Sequence, residues 1–151
     1  MKNAISKFLA TGAYIGYIPF APGTFGTLWG VLIAYCLAGA STPVYAATVF
    51  AVSIVSIYAA EETCRITGKK DPGSIVCDEI SGVLVSFFLI PFTLLNAILV
   101  FILFRFFDIL KPYPAGHLDK NIKGGLGVVA DDLAAGVYAN ISAHIVIWFL
   151  V

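Results

Sequence analysis

Five carboxylates stand where long apolar stretches begin or end, and they are the side chains of this sequence best suited to chemistry. They are Asp78, Glu79, Asp108, Asp131 and Asp132. A set of oxygen ligands suits a hard cation such as Mg²⁺ and argues against zinc. Arg105 and Lys111 each lie three residues from Asp108, a spacing that places neighbours on one face of a helix. The pattern predicts a metal-assisted site for a phosphate ester, with basic side chains on the phosphate oxygens and water as the attacking group.

Each of these groups also has a purely structural explanation. Asp78 and Glu79 could offset the dipole of the helix they begin, Arg105 and Asp108 could form an ion pair, and either of the two later aspartates could cap a helix. A functional role is favoured for these carboxylates because an apolar helix follows them directly, and burying a carboxylate that has no role would be costly. Adjacent helical residues point about 100° apart, so we expect at most one of Asp78 and Glu79 to face a ligand squarely.

Two glycine-containing segments are weaker candidates for contacts with a phosphate headgroup. Residues 22–27 read Pro-Gly-Thr-Phe-Gly-Thr before a helix, where backbone N–H groups and the hydroxyls of Thr24 and Thr27 could meet a phosphate. No lysine follows, so the segment is not a P-loop, and Thr24 could simply be the N-cap. The glycines at 124–127, with Gly125 among them, predict a loop that could approach a headgroup closely.

The composition indicates a membrane protein. Only 12% of the 151 residues are charged and 60% are hydrophobic, which leaves too few polar side chains to cover a soluble monomer. Residues 8–60, 80–104 and 133–151 contain no charged residue. Nine basic residues balance nine acidic ones, so nucleic acid is not an expected partner. Three cysteines without a C-x-x-C pair predict neither a disulfide framework nor a zinc site, in keeping with a reducing, cytoplasm-facing setting.

The charge-free stretches predict a single all-α domain over residues 1–151, a polytopic bundle of about five membrane helices. We place them near residues 25–40, 44–62, 74–90, 93–110 and 131–151. Residues 8–20 could be an interfacial or re-entrant segment. Pro91 breaks the stretch between 74 and 110 into a hairpin, which would bring all the acidic segments to one face of the membrane. Every Lys and Arg falls on that face, so the positive-inside rule makes it cytoplasmic.

Four motifs together resemble the phosphatidylglycerophosphatase A family, a group of bacterial inner-membrane enzymes. They are PGTFGT, GSIVCDEISG, FRFFDILKPYP and KGGLGVVADDLAAG, in order from Ala21 to Gly136. The resemblance implies Mg²⁺-dependent hydrolysis of phosphatidylglycerol phosphate to phosphatidylglycerol and inorganic phosphate, with the phospholipid and the bilayer as partners. It also implies that the family's acidic positions fall on the five carboxylates and its basic positions on Arg105 and Lys111.

From these residues we expect Glu79, Asp131 and Asp132 to bind Mg²⁺. Asp108 is expected to be a further ligand or the base, and Asp78 and Glu79 join it as the catalytic set. Arg105 and Lys111 are expected to clamp the phosphate, with Thr24, Thr27 and Gly125 as additional headgroup contacts. An ion-coupled transporter or channel subunit is the alternative, since it too carries membrane carboxylates. A lipid transferase is disfavoured because its Asp-Gly-x2-Ala-Arg signature is missing.

Overall fold

The computed structural model of the chain describes residues 2–150, without the side chains of Lys2 and Leu150, and it is helical throughout. Within that range no β-strand occurs, which confirms the prediction of an all-α fold. The seven α-helices are α1 (Lys2–Ala10), α2 (Pro22–Cys36), α3 (Thr42–Thr67), α4 (Cys77–Ser86), α5 (Leu94–Leu110), α6 (Ala115–Asn121) and α7 (Gly124–Leu150). A short 3-10 turn, Ile15–Tyr17, lies between α1 and α2.

Helix α4 occupies the centre of the bundle. It packs against α2, α3, α5 and α7, and eight of its ten residues are buried. Val83, Leu84 and Phe104 have almost no exposed surface and form the middle of the largest apolar cluster. Because neighbours surround α4, the side chains at its amino end are held by the whole bundle.

Two helices are long and apolar enough to cross a membrane, Thr42–Thr67 in α3 and Gly124–Phe149 in α7. The prediction of about five such helices is therefore wrong in number. Helices α2, α4 and α5 have 15, 10 and 17 residues. At 1.5 Å per residue α4 is only about 15 Å long, half the thickness of a bilayer core. The expected length came from the apolar sequence, but α4 begins at Cys77 and ends at Ser86, inside the predicted range of 74–90.

The chain reverses direction around Pro91, as the sequence predicts. Helix α4 ends at Ser86, and α5 begins at Leu94 with Thr93 as its N-cap, whose hydroxyl accepts the N–H of Asn96 at 3.1 Å. Helix α5 then returns along α4, so that residues near its end reach the start of α4. The reversal brings the two flanking acidic segments to one end of the bundle.

The segment from residue 8 to 20, expected to be interfacial or re-entrant, is the end of α1 followed by turns. The Thr11 hydroxyl donates to the Lys7 carbonyl at 2.7 Å, and the left-handed backbone of Gly12 and Ala13 then takes the chain out of the helix. The loop before α4 is tied to this point, because the Val76 N–H donates to the Ala10 carbonyl at 2.9 Å. The amino-terminal segment therefore fixes where α4 begins.

Two local expectations about helix starts are wrong. The N-cap of α2 is Ala21 rather than Thr24, with Pro22 in the first helical turn. The glycines at 124–127 form the first turn of α7 rather than a loop. Consequently Asp131 and Asp132 lie about two turns inside α7 and do not begin it.

Candidate active site

The site begins with a glycine contact between α4 and α7. A Cβ on Gly82 would lie 2.5 Å from the carbonyl oxygen of Asp132, and a Cβ on Gly136 would overlap the carbonyl oxygen of Gly82. The two backbones touch here because neither glycine has a side chain. Asp78 lies four residues before Gly82, and Asp132 lies four residues before Gly136. One turn from the contact, the two helices therefore present their carboxylates to each other.

Asp78, Glu79 and Asp132 form a cluster in which one carboxylate oxygen from each lies within 4.8 Å of the others. The two aspartates are 9% and 4% exposed, and the glutamate is half-buried. Both residues of the adjacent pair contribute, contrary to the expectation that only one would. They occupy the first turn of α4, and the glutamate side chain is the longer of the two.

Two buried oxygens of this cluster have no hydrogen-bond partner in residues 2–150, Asp78 Oδ1 and Glu79 Oε2. Buried carboxylates that lack donors and repel one another need a compensating positive charge or a proton. Three carboxylates without nitrogen or sulfur ligands suit a hard divalent cation. The residues present therefore fit the magnesium ion that the sequence implies.

Arg105 stands beside this cluster. Its Nη1 lies 2.6 Å from Asp108 Oδ2 and 3.8 Å from Glu79 Oε1, and it donates to Thr27 Oγ1 at 3.4 Å. The Arg105 side chain is 20% exposed, so this ion pair is largely shielded from water. The structure thus joins the predicted cation, the predicted base and one predicted threonine to the carboxylate cluster.

The first turn of α2 closes over the same point. A Cβ on Gly23 would overlap the Glu79 carboxylate and lie 3.2 Å from Arg105 Nη1. The Thr27 hydroxyl donates to the Gly23 carbonyl at 2.8 Å, which fixes the turn. Thr24 lies half-buried on that turn, and its N–H is bonded to the Ala21 carbonyl at 3.0 Å. The predicted glycine segment is therefore in contact with the site.

Lys111 forms a second, separate charge group. Its ammonium is paired with Asp131 and lies 3.6 Å from Asp119 Oδ2. Burial lowers the pKa of Lys111, but the hydrogen bond that its ammonium donates to Asp131 and the nearby negative charges raise the pKa more, so the net shift is upward. The backbone of Lys111 is left-handed, with φ at 45°, a strained conformation that the surrounding contacts maintain.

Asp131 and Asp132 therefore serve different groups. Asp132 faces the carboxylate cluster, whereas Asp131 faces Lys111, as expected for neighbours about 100° apart on a helix. The predicted ligand set of Glu79, Asp131 and Asp132 is not the set that converges. Asp78 takes the place that the sequence analysis gave to Asp131.

Gly125 is not brought to the cluster. Its N–H donates to Glu61 Oε2 of α3 at 2.5 Å, and a Cβ would overlap the Ile57 carbonyl oxygen. This glycine allows the start of α7 to pack against α3, and Glu61 takes up one of the free N–H groups of that helix end.

Four residues that position the predicted groups were not predicted from the sequence. They are Glu61, Gly82, Asp119 and Gly136. The signal for the glycines was present, since each follows a carboxylate by four residues, which is one helical turn. Glu61 gave no such signal because its partner Gly125 is distant in sequence, and Asp119 gave none because the turn between α5 and α6 separates it from Lys111.

Sequence comparison places this constellation in a known family. The family model described as phosphatidylglycerophosphatase A matches residues 8–147. The chain belongs to this family. The match includes all four motifs and every residue of the carboxylate cluster, so the family resemblance of the sequence is confirmed.

Individual phosphatidylglycerophosphatase A relatives agree with that assignment. The chain is 38% identical to Phosphatidylglycerophosphatase A of Haemophilus influenzae, over 88% of this chain and 83% of the relative. It is 33% identical to Phosphatidylglycerophosphatase A of Escherichia coli, over 85% and 76%. It is also 35% identical, over 94% and 93%, to a Bacteroides thetaiotaomicron protein provisionally named a phosphatidylinositol-3-phosphatase. No solved structure matches the chain.

Proposed function

We propose that this protein removes the terminal phosphate of phosphatidylglycerophosphate and releases phosphatidylglycerol and inorganic phosphate. Membership of the phosphatidylglycerophosphatase A family supports this activity. The observation that carries the proposal is the convergence of Asp78, Glu79 and Asp132 beside Arg105. Carboxylates for a cation and a guanidinium for the phosphate are the groups that phosphate ester hydrolysis requires.

Asp78, Glu79 and Asp132 would hold Mg²⁺, which when bound would neutralise phosphate oxygens and supply an activated water. Asp131 is assigned to Lys111 instead, because the two side chains are paired. This division keeps Lys111 charged without using the cluster oxygens.

Arg105 binds two oxygens of the substrate phosphate through its planar guanidinium group. Asp108, at 2.6 Å, holds that guanidinium in place. Lys111 supplies a further positive charge as negative charge develops on the phosphate. Thr27 fixes the first turn of α2, whose glycine leaves space for the headgroup.

The reaction is an in-line displacement at phosphorus. The oxygen of water forms a new bond to phosphorus, and the bond from phosphorus to the glycerol oxygen breaks. Asp108 accepts the proton that the water loses. The leaving glycerol oxygen takes up a proton from bulk water and remains on the lipid as a hydroxyl, and Asp108 releases its proton to bulk water.

A position in the bacterial inner membrane, with several crossings and the site facing the cytoplasm, completes the proposal. Two full-length apolar helices and a family that acts on a membrane lipid support membrane association. The exposed basic residues Lys69, Lys70, Lys120 and Lys123 lie in the segments that carry the site. The positive-inside rule assigns such segments to the cytoplasm. The transporter or channel alternative gains no support from the family or the relatives.

Phosphate release by the purified protein in detergent–lipid micelles tests this function. We expect release from phosphatidylglycerophosphate with Mg²⁺, and none with chelator. Asp132→Asn should abolish release, whereas Glu62→Gln, which alters an exposed ion pair with Arg65, should not. Release that persists in chelator would contradict the metal assignment. Faster release from phosphatidylinositol 3-phosphate would assign the activity named for the Bacteroides relative.

A further inference from the structure

Helices α4 and α7 are paired along their length at a constant offset. Residues four apart on α7 meet residues four apart on α4, and each partner lies 54 positions earlier in the chain. The three pairs are Asp78 with Asp132, Gly82 with Gly136, and Ser86 with Asn140. The carboxylate cluster is therefore the first of three regularly spaced contacts between α4 and α7, and the proposed function uses only that contact.

The third contact is made by the side chain of Asn140. Its Nδ2 donates to the Ser86 carbonyl at 3.0 Å and to the Phe88 carbonyl at 2.8 Å. Helix α4 ends at Ser86, where the final carbonyls of a helix have no partner within it. The two hydrogens of one amide group thus satisfy two carbonyls at the end of α4.

Other side chains support the same helix end but carry less of it. The Tyr45 hydroxyl of α3 donates to the Leu84 carbonyl at 2.9 Å, and His144 Nε2 lies 3.3 Å from the Phe88 carbonyl. Among the described side chains, only that of Asn140 makes two hydrogen bonds to this end, and Asn140 lies on the same face of α7 as Asp132. It is therefore placed to fix α4 relative to α7.

The contact between Gly82 and Gly136 cannot by itself fix the position of α4 relative to α7. Two bare backbones in contact set the distance between helices, but they offer no directional bond against sliding or rotation. A slip of one residue would move α4 by about 1.5 Å along its axis and about 100° around it. Asp78 and Glu79 would then leave the position opposite Asp132.

We propose that Asn140 is a positioning residue that holds Asp78 and Glu79 opposite Asp132, by fixing the far end of α4 against α7. This inference rests on the proposed function insofar as the cluster is the metal site. It assigns a role in cation binding to an amide two turns away from the nearest ligand.

Mn²⁺ binding to the purified full chain, followed by electron paramagnetic resonance, tests the role without a turnover assay. Asn140→Leu removes both donors at similar side-chain size, and we expect the Mn²⁺ dissociation constant to rise about tenfold, the lower end for a group that orients metal ligands. Asn96→Leu is the matched control. Asn96 also donates to a carbonyl in the connection between α4 and α5, that of Pro91 at 2.8 Å, but in the described part of the chain it makes no hydrogen bond to α7. Its variant should bind Mn²⁺ within twofold of wild type.

All variants are compared at a temperature where circular dichroism gives the wild-type helix content. Unchanged Mn²⁺ affinity in folded Asn140→Leu would overturn the proposal, as would a wild-type chain that binds no Mn²⁺. If Asn140→Leu does not fold, Asn140→Ser decides, because the shorter side chain should weaken binding and an unchanged affinity refutes the role. A wild type that binds Mn²⁺ but releases no phosphate would overturn the proposed function and leave this test intact.

Discussion

Gly136→Ala should damage the site although no side chain of the cluster is altered. The new Cβ would overlap the Gly82 carbonyl oxygen and lie 3.1 Å from both the Gly82 carbonyl carbon and Val85 Cβ. The obstacle is backbone, so no side chain can rotate away. Carbon atoms pack at about 3.5–4.0 Å, so the two helices must separate by roughly 1 Å at this point. Asp132, one turn away, moves with its helix.

The expected cost in stability is small and the expected cost in rate is large. Alanine is favoured over glycine in a helix by about 1 kcal/mol, which offsets part of the 1–3 kcal/mol that overpacking usually costs. A displacement of about 1 Å in a catalytic group lowers rates by about 10²-fold. Gly136→Ala should therefore remain folded and lose about 10²-fold in phosphate release from phosphatidylglycerophosphate.

Gly39→Ala is the control for this experiment, because nothing lies within 4 Å of a Cβ built at that position. It makes the same chemical change in open space and should release phosphate at the wild-type rate. Full activity of Gly136→Ala, with the same Mg²⁺ requirement as wild type, would refute the account of how the two helices bring the carboxylates together.

Four substitutions separate the groups around the site. Asp132→Asn should lower phosphate release by at least about 10²-fold, because Asp132 belongs to the carboxylate cluster. Asp131→Asn should cost less and mainly raise KM, because Asp131 is paired with Lys111. An equal loss of kcat in both variants would contradict these separate roles. Arg105→Lys should lower kcat/KM by about tenfold or more, since an ammonium lacks the rigid planar fork that matches two phosphate oxygens. A normal value would contradict two-point binding by Arg105. Glu61→Gln should lower the melting temperature by a few degrees, a typical change for a loss of about 1 kcal/mol in stability. It should leave kcat near wild type, because the Glu61 carboxylate accepts the Gly125 N–H outside the carboxylate cluster. A kcat loss without a change in melting would place Glu61 in the reaction.

The sequence predicted which segments meet but not how far each helix extends. Pro91 marked the reversal, and charge-free stretches marked apolar segments, so the meeting of the segments around Glu79 and Arg105 followed. Helix ends were set by contacts that no local pattern records. The Val76 N–H is bonded to the Ala10 carbonyl, and Asn140 takes the carbonyls that end α4. Apolar length alone therefore overestimated the number of full membrane helices.

The two acidic pairs show why residue type could not decide which carboxylates converge. Both are adjacent pairs on helices, and the 100° rotation between neighbours applies equally to each. At 131 and 132 the rule holds, because both residues lie inside α7 with neighbouring turns on either side. At 78 and 79 the helix has just begun, and the longer glutamate side chain joins the aspartate. The position of a pair along its helix, which depends on tertiary contacts, therefore determines whether one carboxylate or two can reach the same ion.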